Sequence, residues 1–295
     1  MKVLCFGSLN IDYVYSVDHM VIKGETETSN GVSVNPGGKG LNQSIALARA
    51  GVNVWHAGMV GEEGQFLIDR CVENGVDSKY IRMIDGRSGH TIIQVDKSGD
   101  NSIILFGGTN QKMTPEFIDE VLTGFESGDM ILLQNEINLL DMIIDKAYEK
   151  GLIIVLNPSP YNDTLKACDM SKVSYFILNE IEGEQMTGEK EPDNILEGIK
   201  RMYPSAKVVL TLGEAGSIYM DGDRILRQDA YKVKAVDTTA AGDTFTGYFI
   251  SSVIKGASPS EGLRLAAKAS AIAVTKPGAL DSIPKLDEVY ENPVE

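Results

Sequence analysis

The chain has 295 residues, enough for one large α/β domain with a small appendage or for two ordinary domains. Its hydrophobic content of 43% and charged content of 23% are typical of a globular protein and exclude a disordered one. The net charge of −15 argues against nucleic acid as a ligand, because binding a phosphate backbone requires a basic surface. An anionic nucleotide would have to be bound locally, by backbone N–H groups, a few cations and a metal ion.

Cysteine usage and the N-terminal sequence bear on the compartment. Cys5, Cys71 and Cys168 have no metal-cluster spacing, and such a sparse, odd set is typical of a reducing environment. Asp12 follows the first apolar run too closely for a signal peptide, and no apolar run approaches the roughly 20 residues of a membrane-spanning helix. The sequence therefore predicts a cytoplasmic protein with no membrane partner.

Short apolar runs alternate with segments of helical spacing along the chain, which predicts a mostly parallel sheet covered by helices. The predicted strands, in chain order, are 3–6, 131–133, 152–156, 175–178 and 208–212, and two of the helices between them are 139–149 and 195–203. A capping box at Ser258 and Glu261 predicts a helix of about four turns in the last third of the chain.

Two regions depart from this alternation. Residues 13–34 and 91–106 have the pattern of β-hairpins, with a turn at 96–101. We interpret them as insertions that form one small β-sheet, a lid that would exclude water from a cleft. The same pattern is equally typical of an edge decoration or a dimer surface, and exposed strand edges predict a homodimer formed through the lid. The chain 1–295 is then a single domain with this appendage.

A glycine-rich segment at 35–43 leads directly into an amphipathic helix predicted over 41–50. It is not a Walker A loop, because Gly40 follows Lys39 where that motif has Ser or Thr. Its glycines allow the backbone to approach a polar substrate, and Lys39 and Asn42 offer donors to hydroxyl groups. A glycine turn with a solvated lysine is the alternative interpretation.

Polar side chains follow several predicted strands, at the edge where open α/β sheets bind ligands. Asn10 and Asp12 follow the first strand, and a carboxylate that accepts from two vicinal hydroxyls suits a polyol. An ordinary turn is the alternative for this pair. The other residues at this edge are Glu136, Asn179, Glu182, Thr211 and Gly213.

The most informative segment is 237–245, in which small residues and an acid introduce an apolar helix. First-turn N–H groups have no partner inside a helix and, together with the helix dipole, bind phosphate. Asp243 then occupies the position of a general base for phosphoryl transfer. Taken alone, such a segment is also typical of plain helix capping.

With these residues in place, the sequence resembles the ribokinase (PfkB-type carbohydrate kinase) family over essentially its whole length. Segment 37–43 matches the family's first signature and segment 237–245 its second, with the polar strand-end residues in the expected order. The resemblance implies an α/β fold with a three-layer α/β/α core, a mostly parallel sheet and a small β-sheet lid. It also implies transfer of the γ-phosphoryl group of ATP to a sugar hydroxyl.

The resemblance further implies a role for each position. Asp243 would be the catalytic base, beside an anion hole at 240–243 that includes Ala240, Ala241 and Gly242. The sugar would be bound by Asn10, Asp12, Gly38, Lys39, Asn42, Glu136 and Asp243. The nucleotide would be bound by Asn179, Thr211, Gly213 and Gly242. Glu182 would act indirectly on Mg²⁺ through its waters, and a K⁺ site would comprise Asp237, Thr239, Ala273, Lys276, Gly278 and Ser282.

Within the family, the signatures are most similar to those of ribokinases, so the leading hypothesis is ATP-dependent phosphorylation of D-ribose to ribose 5-phosphate. Thr91, beside His90, stands where a small apolar residue is usual, which leaves another pentose, a fructose-type sugar or a nucleoside as alternative substrates. A sugar-binding regulator without catalysis is the alternative of a different class, and the intact Asp243 argues against it.

Overall fold

The computed structural model of the protein describes residues 1–293. The strands are β1 (Val3–Phe6), β2 (Asn10–Ser16), β3 (Gly31–Gly37), β4 (Val54–Val60), β5 (Asp77–Met83), β6 (Gly89–Val95), β7 (Asn101–Phe106), β8 (Met130–Gln134), β9 (Ile153–Asn157), β10 (Tyr175–Asn179), β11 (Lys207–Thr211), β12 (Ser217–Asp221) and β13 (Arg224–Gln228). The α-helices are α1 (Lys39–Arg49), α2 (Gln65–Glu73), α3 (Pro115–Leu122), α4 (Leu140–Glu149), α5 (Glu180–Thr187), α6 (Pro192–Met202), α7 (Ala241–Ile254), α8 (Pro259–Ala273) and α9 (Leu286–Glu291).

The large sheet has nine strands in the order β13-β12-β11-β10-β9-β8-β1-β4-β5. Its strands are parallel from β5 to β11, and β12 and β13 add an antiparallel edge. Each of the five strands predicted from apolar runs is present within one or two residues of its expected bounds. Strands covered on both faces must be apolar at every position, which is why they stand out as continuous runs.

Helices cover both faces of this sheet. On one face, Cys5 and Leu132 pack in a core with Phe249 and other residues of α1, α2, α7, α8 and α9. On the other face, Phe6 and Leu133 pack with residues of α3, α4 and α6. The predicted three-layer α/β/α core is therefore confirmed. No helix within residues 1–293 has the length and apolar content to cross a bilayer.

The smaller sheet is separate, with strand order β3-β2-β6-β7. Two distant segments of the chain form it, with β2 and β3 in one and β6 and β7 in the other. Strand β2 begins at Asn10 and pairs in parallel with β6 and in an antiparallel manner with β3. Asn10 and Asp12 consequently lie on a lid strand, whereas the sequence analysis placed them after the end of β1, with an ordinary turn as the alternative. Only Gly7, Ser8 and Leu9 separate the two strands, so the pattern did not show where the lid strand begins.

Helices α1 and α7 bring the two glycine-rich segments together. A Cβ on Gly247 of α7 would overlap the Cβ of Ala46 on α1, so only glycine permits this approach. One turn toward the N-terminus of each helix, Asn42 contacts Asp243. The two helices thus run side by side, with their N-terminal turns at the same end of the sheet.

Candidate active site

Asp243 lies in the first turn of α7 and is 8% exposed. Its Oδ2 accepts a hydrogen bond from Nδ2 of Asn42 at 3.0 Å. Its Oδ1 accepts one from Nε2 of Gln43 at 2.8 Å. Both donors belong to the first turn of α1, and they fix the orientation of the carboxylate. Each oxygen keeps lone pairs with which it can accept a further hydrogen bond.

Two backbone donors adjoin Asp243. The N–H groups of Gly242 and Asp243 have no acceptor within the described chain, and a Cβ on Gly242 would meet no atom within 4 Å. The predicted anion hole also included Ala241, but its N–H donates to the carbonyl oxygen of Thr238 at 3.2 Å. Ala240 precedes the helix at φ 60°, a left-handed conformation that a non-glycine residue adopts only where the surroundings impose it. Free donors at a helix N-terminus form an anion-binding site.

The lid contributes Asn10 and Asp12. Oδ1 of Asp12 accepts a hydrogen bond from the hydroxyl of Thr91 at 2.6 Å, and Oδ1 of Asn10 accepts one from Nδ2 of Asn110 at 2.7 Å. Burial raises the pKa of the Asp12 carboxyl, and the bond from Thr91 opposes this shift. A Cβ on Gly37 would overlap the Asp12 carboxylate, so glycine leaves the space that this side chain occupies. The Thr91 hydroxyl is therefore committed to orienting Asp12.

His90 plays no part in this arrangement. In the lid register His90 is opposite Ile11, whereas Thr91 is opposite Asp12, so the two side chains point to opposite faces of the sheet. The His90 ring packs against Phe106, with centroids 4.9 Å apart, and lies 5.9 Å from the Tyr13 ring. It packs within the outer face of the lid.

A second carboxylate lies opposite the lid. Glu136 accepts hydrogen bonds at Oε2 from the hydroxyl of Ser8 and from the backbone N–H of Lys39, the latter at 3.0 Å. Burial raises the pKa of Glu136, and the Lys39 ammonium opposes this shift. Burial disfavours the charged form of Lys39, but the carboxylates of Asp243, Glu136 and Glu182 outweigh it and raise the pKa of that ammonium. Lys39 is thus a cation among several acids.

Two further predicted residues lie at the ends of neighbouring strands. Asn179 ends β10 and is paired with Thr211, which ends β11. Asn179 and Glu182 form a capping box, in which each side chain accepts from the other's backbone N–H, at 2.9 and 3.0 Å. Gly213 follows at φ 54°, and a Cβ there would meet no atom within 4 Å. This part of the site is open and consists largely of backbone.

The predicted cation residues occupy two segments that hydrogen bonds join. Oδ1 and Oδ2 of Asp237 each accept a 2.9 Å hydrogen bond, from the N–H groups of Thr239 and Gly278 respectively. Although burial opposes ionisation, these bonds hold the pKa of Asp237 below its usual range. Ser282 is buried, and its hydroxyl donates to the carbonyl oxygen of Ala279 at 2.7 Å. The Lys276 ammonium points toward Glu288, 3.6 Å away, so only its backbone oxygen is available.

Comparison with known proteins shows which family the chain belongs to. A family model described as pfkB family carbohydrate kinase matches residues 1–286. The chain belongs to the pfkB family of carbohydrate kinases. It is 32% identical to the ribokinase of Bacillus subtilis over 99% of each chain. It is 34% identical to the ribokinase of Lactococcus lactis, over 98% of this chain and 95% of that one.

Solved structures of pfkB kinases agree with this assignment. The ribokinase of Cryptococcus neoformans in complex with ADP superposes with a TM-score of 0.87 at 30% identity, over 98% of this chain and 99% of that one. The ribokinase of Arabidopsis thaliana complexed with ribose and ATP gives a TM-score of 0.85 at 26% identity, over 98% and 97%. The predicted resemblance is confirmed, and the chain is a sugar kinase.

Several residues that support this kinase site carry no role in the sequence analysis. Gln43 was visible within the first signature, directly after Asn42, but had no assigned function. Ser8 and Asn110 bind site residues that lie about a hundred positions away in sequence, at Glu136 and Asn10. No local pattern marks such partners, because only the tertiary fold brings them together.

Proposed function

We propose that this kinase transfers the γ-phosphoryl group of ATP to the 5-hydroxyl of D-ribose and forms ribose 5-phosphate. The observation that carries the proposal is the buried Asp243 carboxylate, oriented by Asn42 and Gln43 beside the free N–H groups of Gly242 and Asp243. The similarity to ribokinases, one of them complexed with ribose and ATP, supports this pair of substrates.

The predicted sugar-binding side chains suit a polyol. The Asp12 carboxylate keeps Oδ2 available while Thr91 binds Oδ1, so it can accept from a sugar hydroxyl. Lys39 and Asn42 supply donors, and Asn10 and Glu136 complete the set. Because these groups are buried or half-buried and several are held by hydrogen bonds, a substrate that lacks a hydroxyl leaves one of them unpaired, which costs binding energy.

Transfer then requires one proton acceptor and one anion site. Asp243 takes the proton of the primary hydroxyl as its oxygen forms a bond to the γ-phosphorus. The bond from that phosphorus to the bridging oxygen breaks, and ADP leaves. The N–H groups of Gly242 and Asp243 stabilise the negative charge on the transferred group. The open backbone at Asn179, Thr211 and Gly213 is the part of the site that receives the nucleotide.

The acidic groups fit two cations. Oε2 of Glu182 accepts the capping bond, and the remaining oxygen, Oε1, suits the waters of a Mg²⁺ ion that neutralises the nucleotide phosphates. The potassium set is entirely oxygen, from Asp237, Ser282 and backbone carbonyls of Thr239, Ala273, Lys276 and Gly278. Because Asp237 also joins segments 237–239 and 278, a cation there would stiffen the loop that presents Gly242.

The lid supports a homodimer. Val34, Tyr13, Ile92 and Ile104 are successive neighbours across its strands, on the face that points away from Asp12. Val34 is 53% exposed and Ile104 61%, so this face is apolar and uncovered in one chain. Sedimentation across micromolar concentrations should show a dimer that Ile104→Lys dissociates. A parent chain that stays monomeric would exclude this assembly.

The reducing compartment is supported by the cysteines. Cys5, Cys71 and Cys168 form no disulfide within residues 1–293. Together with the use of ATP, this supports a cytoplasmic location.

The experiment that tests the function is ATP consumption with a panel of free sugars and nucleosides, with and without potassium. We expect the highest kcat/KM with D-ribose and an increase on adding K⁺, which Asp237→Asn should reduce. Activity with another sugar and none with ribose would refute the substrate and retain the mechanism. Sugar binding without any turnover would favour the non-catalytic regulator.

A further inference from the structure

A buried chain of amide side chains lies behind the carboxylate of Asp243. Gln43 is 1% exposed, and its Nε2 donates to Oδ1 of Asp243 at 2.8 Å and to Oδ1 of Asn157 at 3.2 Å. Its Oε1 accepts a 2.6 Å hydrogen bond from Nε2 of Gln134, the fully buried last residue of β8. The central sheet is thus connected to the site by two consecutive amides.

The polarity of this chain is fixed. A carboxamide has a donor end and an acceptor end, and reversing Gln43 would place its Oε1 against the Asp243 carboxylate. The donor from Gln134 at Oε1 and the acceptor Oδ1 of Asn157 at Nε2 both oppose that reversal. Gln43 therefore presents its N–H to Asp243 with both ends of its amide paired, and Gln134 holds the Oε1 end.

Gln134 maintains this contact at a cost. Its own Oε1 is buried and has no hydrogen-bond partner within the described chain, which lowers the stability of the folded protein. A Cβ on Gly7 would overlap this oxygen, so glycine makes the room for it. A buried unsatisfied polar atom beside an active site points to a function that outweighs its effect on stability.

We propose that Gln43 is a positioning residue that holds the Asp243 carboxylate in line with the substrate hydroxyl, and that Gln134 acts only by fixing the Gln43 amide. The inference rests on the proposed role of Asp243 as the base. It assigns to the residue directly after Asn42, at position 43, a part in the chemical step and none in binding the sugar.

The first test is Gln43→Met, which retains length and volume but removes both polar ends. We expect kcat to fall about tenfold, since one hydrogen bond to a charged group is lost, while KM for the sugar stays within about twofold. Lys39, Glu136 and the Cys5 thiol are the titratable groups that face Asp243, and all three remain in this variant.

The second test is a double-mutant cycle with Gln134→Met. Alone, this change should lower kcat about threefold, because the Gln43 amide then loses the donor at its Oε1 and is held only at its Nε2 end. In the Gln43→Met background it should have no further effect. Independent, multiplying effects would refute the claim that Gln134 acts through Gln43.

Ser44→Ala is the matched control, since Ser44 is buried on the same helix and bonds the carbonyl of Gly40 and the ring of His56 without contacting Asp243. It should leave kcat and KM for the sugar unchanged, and far-UV circular dichroism should show that all variants are folded. If Asp243→Asn is inactive while Gln43→Met keeps the parent kcat, only the positioning role of Gln43 is refuted. An active Asp243→Asn would refute the base itself.

Discussion

The proposed sugar pocket and the proposed nucleotide edge are built in opposite ways. In the sugar pocket, defined by Asn10, Asp12, Lys39, Asn42, Glu136 and Asp243, side chains from distant parts of the sequence bind one another. Asn42 and Asp243 are 201 positions apart, Ser8 and Glu136 are 128 apart, and Asp12 and Thr91 are 79 apart. At the nucleotide edge, defined by Asn179, Thr211, Gly213 and Gly242, the contacts are local and the backbone is exposed.

The difference reflects what each half has to recognise. A neutral polyol offers only hydroxyl groups, so binding depends on side chains that are oriented before it arrives. A phosphate chain carries its own charge and requires only open N–H groups and small residues. The sugar pocket is therefore sensitive to the removal of single polar atoms, whereas the nucleotide edge is sensitive to added bulk.

The largest effect on activity is expected at Asp243, where the sugar pocket meets the nucleotide edge. Asp243→Asn keeps the size of the side chain and removes the proton acceptor, so kcat should fall about 1000-fold. Steady-state kinetics measures this, and calorimetry should show sugar affinity within a few-fold of the parent. Asp141→Asn, in the first turn of α4, is the matched control. Turnover at the parent rate would remove Asp243 from the base role.

At the nucleotide edge, a larger side chain should reduce activity without unfolding the protein. A Cβ at Gly242 meets no atom within 4 Å, so Gly242→Val should leave the melting temperature unchanged while it blocks the anion site and lowers kcat/KM for ATP about 100-fold. Gly38→Ala is the contrast in the sugar pocket. At φ 94°, with Asn10 N 3.0 Å from the new Cβ, it should lose about 1–3 kcal/mol of folding free energy. Equal melting temperatures for both variants would contradict this division.

The sugar pocket should fail through the loss of a single donor. Thr91→Val removes the hydroxyl that orients Asp12, so KM for the sugar should rise about five- to tenfold with little change in kcat. His90→Asn, on the opposite face of the lid, should leave KM unchanged. If the two variants change KM for the sugar alike, the assignment of Thr91 and His90 to opposite faces of the lid is wrong.

The smallest expected effect is a difference in pH response between the sugar pocket and the potassium site. Burial raises the pKa of Asp12 and of Glu136, so these carboxyls gain protons at a higher pH than usual and lose their acceptor capacity as the pH falls. KM for the sugar should rise about two- to threefold as the pH is lowered, at a higher pH than ordinary carboxylates would require. The potassium concentration for half-activation should stay constant, because hydrogen bonds hold the pKa of Asp237 below its usual range. A reversed pattern in parallel titrations would refute this assignment.

Much of the fold was predictable from local pattern. Buried parallel strands produce apolar runs, and the capping box at Ser258 and Glu261 fixed the start of α8 as expected. The bounds of the lid strands were harder to predict from the sequence. Strand β2 begins at Asn10, in a stretch whose residue types are also typical of a turn. The start of the strand is fixed by its pairing with β3 and β6, which come later in the chain. Strand pairing at that distance leaves no periodic signal.

The sequence by itself determined the α/β class, the two helix starts that carry small residues and the acid at position 243. These features were predictable because a helix N-terminus and its capping depend on consecutive residues. The tertiary structure decided which groups surround that acid. It placed Asn42 and Gln43 on its two oxygens, committed Thr91 to Asp12, and turned the Ala241 N–H toward Thr238. Such contacts depend on the close approach of helices α1 and α7 and on the pairing of the lid strands, which only the packed core fixes.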